Sequence, residues 1–63
     1  MNCIKEVLKE KGIKQIWLAE KLYKSYNMVN GYVQNRQQPR LEVLSEIATI
    51  LEVDIKELIK SSK

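Results

Sequence analysis

The 63-residue chain contains no histidine and a single cysteine, Cys3. An internal disulfide is therefore excluded, and no cysteine or histidine partner exists for a zinc site, so neither staple common in small domains is at hand. No apolar run approaches the ~18 residues of a membrane span. The N-terminus also lacks the apolar core and small-residue cleavage site of a signal peptide, so a cytoplasmic protein is expected. Catalysis is disfavoured for similar reasons. The chain has no metal constellation, no phosphate-binding glycine loop and too little length to enclose a pocket, so neither enzyme activity nor a metal or cofactor is expected.

What is present fits one small folded domain. Hydrophobic residues make up 44% and charged residues 30%, which is the balance of a soluble folded chain rather than a disordered one. The net charge of +3 is unevenly spread. Residues 1–41 hold Lys5, Lys9, Lys11, Lys14, Lys21, Lys24, Arg36 and Arg40 against Glu6, Glu10 and Glu20, a balance of +5, and the remainder carries −2. Within the basic part, Ser25 to Gln34 carries no charge.

Periodicity predicts five short helices. The first, over 2–11, faces inward with Ile4, Val7 and Leu8, and Gly12 follows as its C′ residue. The second, over 15–22, buries Leu18, Ala19 and Leu22; the third, over 25–34, buries Val29, Tyr32 and Val33 and is capped by Ser25. Asn35 falls where a helix should end, in the left-handed conformation that asparagine tolerates. The run NRQQP reads as a loop, and Pro39 opens a fourth helix over 40–51, with Leu41, Leu44, Ile47, Ala48 and Leu51 inward. Asp54 starts a fifth, with Ile55, Leu58 and Ile59, and Ser61 to Lys63 are expected to fray. The second and third helices are separated only by Tyr23 and Lys24, and so tight a turn makes them cross steeply.

In this order and spacing the chain resembles the Cro/repressor-type, or XRE, helix-turn-helix family. The features that carry the resemblance are Gln15, the Leu18-Ala19 pair, Ser25, Val29, the basic loop ending at Pro39, and LEVLSEIATILEVDIKEL from Leu41 to Leu58. Ala19 lies where two helices cross closely, and a larger side chain there would part them. Three departures stand out. Tyr23 replaces the family's turn glycine, so it either adopts a positive φ or shifts the turn. Leu8 and Val33 replace a buried arginine–glutamate pair, a double exchange that leaves no charge unpaired. Asn35 replaces a glycine.

The resemblance implies an all-α, five-helix, lambda-repressor-like domain that binds double-stranded DNA, with the third helix in the major groove. Base reading would fall to Ser25, Tyr26, Asn27, Asn30 and Gly31, with Met28 beside them. Asn27 is the first choice, because its amide matches the N6/N7 edge of adenine. Phosphate contacts would come from Lys14, Gln15, Lys24, Asn35, Arg36 and Arg40. Gly31 asks for a reason inside a helix, either close approach to DNA or packing on a neighbouring helix. Lys5, Lys9 and Lys21 read as a solvated face, Tyr32 as core, and Cys3 as a half-buried small apolar residue. Of the surplus apolar residues Ile16, Trp17, Val43, Ile50, Ile55 and Ile59, the pair Ile55 and Ile59 would form a homodimer contact, and Trp17 offers a possible protein contact. The expected role is a transcriptional regulator, a repressor, associated with the nucleoid when bound. A protein-interaction module or antitoxin-type partner that retains the fold is the alternative.

Overall fold

A computed structural model of the protein describes residues 1–59. It contains four α-helices and one 3-10 turn. They are α1 (Ile4–Lys11), α2 (Gln15–Leu22), α3 (Tyr26–Val33), α4 (Leu41–Leu51) and the turn Ile55–Glu57. The fifth helix of the sequence reading is thus a single turn, held at its start by Asp54, whose carboxylate accepts the Lys56 N–H at 3.0 Å. The expected fraying of Ser61 to Lys63 lies outside the described residues.

Each helix ends where its local chemistry dictates. Gly12 closes α1 with φ 68°, a conformation that costs glycine nothing. Tyr23 closes α2 in the same left-handed region, at φ 58°, so the turn keeps its geometry without the glycine. Its N–H returns to the Glu20 carbonyl at 3.2 Å, and that of Lys24 to Ala19 at 3.1 Å. Asn35 takes φ 61° after α3. Helix α1 starts two residues later than periodicity suggests, because Asn2 is buried and its side-chain oxygen accepts the Ile4 N–H at 3.1 Å. Helix α4 starts at Leu41, with Arg40 extended before it as N-cap.

The core is assembled by one or two anchors from each element. Ile4, Leu18, Val29, Val33, Ile47 and Leu58 are the largest side chains withdrawn from solvent. Helix α2 packs most extensively on α3 and then on α4, while α1 meets α3 and the 3-10 turn meets α4. Ala19 is buried in α2, as close helix crossing requires. Leu8 and Val33 are both buried, so the space that a charge pair would fill is apolar on both sides. Val43, Ile50 and Ile55 complete this core from its margin. Cys3 is half-buried, and its N–H donates to the Leu58 carbonyl at 2.7 Å, tying the first residues to the last turn.

One inward assignment on α4 is overturned. Leu41 is 68% exposed, although its spacing with Leu44 and Ala48 puts it on the inner stripe. It is the first helical residue, and the described residues leave most of its side chain in solvent.

Candidate nucleic-acid interface

The exposed end of the α2–α3 pair is built by local capping. Ser25, extended at φ −69° and ψ 153°, accepts the Met28 N–H on its hydroxyl at 3.1 Å. That bond fixes the first turn of α3, whose side chains Tyr26, Asn27 and Met28 all stand in solvent. Further along, Val29, Tyr32 and Val33 are buried and Asn30 is half-buried. The helix therefore offers its first turn, rather than its whole length, to a partner.

Asn30 is the centre of a chain of side-chain bonds. Its amide nitrogen donates to the Gln15 side-chain oxygen at 2.9 Å, and its amide oxygen accepts from Arg36 at 2.6 Å. Guanidinium only donates, so the Asn30 oxygen must face Arg36 and its NH2 must face Gln15. The Gln15 oxygen thereby accepts from Asn30, and the Gln15 NH2 group is a donor outside this bond. Arg36 uses one of its N–H groups and keeps the others. Two residues expected to touch phosphate are thus aligned by one that was expected to read a base.

Two other assignments are redirected. Gly31 is buried: the Arg36 and Gln37 N–H groups donate to its carbonyl at 2.9 and 3.2 Å, and Gln37 covers its face. Its neighbour is thus the loop rather than another helix. A Cβ built there lies 3.7 Å from Gln37 Oε1 and 3.8 Å from Gln37 Cβ, which is ordinary contact. Gly31→Ala should accordingly raise stability by up to about 1 kcal/mol through helix propensity alone. Thermal unfolding followed by circular dichroism checks this, and a lowered midpoint would mean that the loop cannot give way.

Asn35 turns its amide inward. Its oxygen accepts the Asn2 N–H at 2.8 Å and the Gln38 amide at 3.0 Å, while its NH2 donates to the Asn2 carbonyl at 3.2 Å. Asn2 in turn donates to the Tyr32 carbonyl at 2.9 Å and to Gln38 Oε1 at 3.0 Å. This clasp pins the loop that carries Arg36, and it removes Asn35 from the free donors. Asn2, Gln37 and Gln38 all escaped the sequence reading; the two glutamines leave a trace in the density of amides in NRQQP, and Asn2 leaves none.

The cations expected at phosphate sit on separate segments. Lys14 is exposed as N-cap of α2, Lys24 is half-buried in the turn, and Arg36 lies across Asn30. Arg40 stands exposed at the start of α4, outside the chain of bonds. Of the two residues expected at a dimer contact, Ile59 is exposed and Ile55 is half-buried against the core.

Comparison with known proteins agrees with this geometry. The chain is similar to a protein from Bacteroides fragilis, described as a candidate DNA-binding protein and known from its crystal structure, with 41% identity and a TM-score of 0.90. The similarity covers 92% of this chain and 94% of that one. No curated protein matches. A family model described as helix-turn-helix matches residues 4–58 and so takes in every element from α1 to the 3-10 turn. With nearly the whole chain inside that match and α2, the Tyr23 turn and α3 forming its motif, the protein belongs to the XRE-type helix-turn-helix family.

Proposed function

We propose that the protein binds double-stranded DNA sequence-specifically, as a small transcriptional regulator that represses by occupying its site. The observation that carries this reading is the chain of bonds from Gln15 through Asn30 to Arg36, which ties two donor-bearing side chains together beside an exposed, uncharged helical tip. Phosphate contacts position a protein and base contacts specify, and the tip and its flanks divide along that line. The first turn of α3 enters the major groove. Asn27, exposed and free of side-chain bonds, pairs with adenine in the bidentate manner; Ser25 and Tyr26 border it. The NH2 of Gln15, the guanidinium of Arg36, and Lys14, Lys24 and Arg40 meet the strands. Asn30 acts as a positioning residue. A homodimer joined through Ile59, with Ile55 behind it, would present two such tips to half-sites about 34 Å apart.

Selection from random duplexes tests this. The expected outcome is enrichment of a paired motif containing adenine, with Asn27→Ala relaxing one position by about 1–3 kcal/mol. Arg36→Ala should weaken all sequences alike and reduce the salt slope by about one. Asn30→Ala should behave like Arg36→Ala and leave the motif unchanged, because it loosens donors rather than a base contact. Absence of any enriched motif would sink the regulator reading, and a changed motif in Asn30→Ala would return that residue to base reading.

A further inference from the structure

Two shallow apolar grooves lie side by side on the α1–α2 side of the molecule, and the larger reaches Tyr26 at the start of α3. The larger, about 450 Å³, has a floor of Leu8, Ile13, Ile16 and Val33 and a rim that includes Lys5, Lys9 and Lys14. The smaller, about 350 Å³, is walled by Trp17. They share Ile13, Lys14 and Ile16, so a single ridge divides one trough. Ile16 is 49% exposed and Trp17 39%, and Lys21 holds its ammonium 5.3 Å from the centre of the Trp17 ring. No acidic side chain lines either groove.

We infer that this trough docks an acidic amphipathic helix of a partner protein. The two hollows on either side of the Ile13–Ile16 ridge call for two apolar anchors on one face of the guest, which is the pattern a helix presents at i, i+4 and i+7. Lys5, Lys9, Lys14 and Lys21 surround them and match acidic residues flanking that stripe. Nucleic acid fits poorly, since phosphates gain nothing from an apolar floor. A second copy of this chain fits poorly too. Its acidic helix, α4, turns Leu44, Ile47, Ala48 and Leu51 into its own core and exposes Glu42, Ser45, Glu46 and Thr49, leaving Leu41 as a single exposed apolar residue where two anchors are needed. Gln15 and Tyr26 also line the larger groove, so the guest and a duplex compete for the protein, a consequence that rests on the DNA reading above.

Trp17 is the only tryptophan in the chain, so its emission reports the trough directly. The probe is a synthetic helix of about four turns, leucine on one stripe and glutamate elsewhere, beside a scrambled isomer of the same composition. Saturable blue-shifted emission is expected, with the ordered peptide binding at least about tenfold more tightly than the scrambled one. Ile16→Ser and Lys9→Glu, both at exposed positions, should each weaken it by about tenfold. Equal response to the two peptides, indifference to both substitutions, or a shift produced only by anionic phosphatidylglycerol vesicles overturns the inference. None of these arms contains DNA, so their failure is separate from failure of the regulator reading. With a labelled duplex of the selected motif added, displacement by the ordered peptide is expected, and simultaneous binding of both overturns the competition.

Discussion

Ile47→Ala should leave little of the protein folded at physiological temperature. Ile47 has no solvent exposure and lies near the middle of α4, the helix that packs against α2 and the 3-10 turn. Truncating such a side chain costs about 2–5 kcal/mol, because the cavity adds to the lost transfer energy. A single core in a chain this short supplies about 3–5 kcal/mol in all, so the loss is of the same size as the total. Urea unfolding should show the collapse of the midpoint, with Ile47→Val costing only about 0.5–1.5 kcal/mol. Leu41→Ala is the matched control on the same helix, and it should stay within about 0.5 kcal/mol because its side chain is already in water. Equal losses at the two positions would show that α4 is rotated from the placement described here.

That contrast also marks how far the sequence was legible. Signals that act within one turn were read correctly: Gly12 and Asn35 as left-handed stops, Ser25 as the cap of α3, and the bounds of α2 at Gln15 and Leu22. Periodicity gave the tight turn at Tyr23 and Lys24, and the resemblance added the expectation that Tyr23 either takes a positive φ or shifts that turn; it takes the positive φ. The one inward assignment that failed depended on residues distant along the chain: Leu41 has the right spacing for burial, but whether another element covers it is a tertiary fact. The bonds and contacts of Asn30, Asn35 and Gly31 with Gln15, Asn2 and Gln37 were likewise not foreseen. Short amide side chains bond in either direction, so their sequence context alone does not reveal whether a base or a neighbour will take them. Among the described residues the fifth helix is one turn, capped by Asp54 and held to the core by Leu58 and, more loosely, Ile55.

Asn2→Ala is expected to be the most damaging polar substitution. The backbone bonds between Asn2 and Asn35 survive it, but three side-chain bonds do not: those with the Ile4 N–H, the Tyr32 carbonyl and Gln38 Oε1. Helix α1 has no other side-chain cap, since Cys3 at the N-cap makes none, so the Ile4 donor is left without its partner near the start of the core. Each buried polar group stranded in this way costs about 1–3 kcal/mol. We therefore expect a loss of about 2–3 kcal/mol, measurable by chemical unfolding, with backbone slippage recovering part of the total. Asn2→Asp discriminates the donor side from the acceptor side. Aspartate can still accept from Ile4, and its charge suits a helix N-terminus, but it turns a carboxylate oxygen toward the Tyr32 carbonyl and the Gln38 oxygen. If the donors matter as the geometry indicates, Asp will be no better than Ala; rescue by Asp would show that capping α1 is the whole role of Asn2. Amide exchange then locates the damage. Faster exchange confined to residues 34–38 would show that the clasp stiffens the loop that holds Arg36 against Asn30, whereas uniform acceleration would show only a weaker fold.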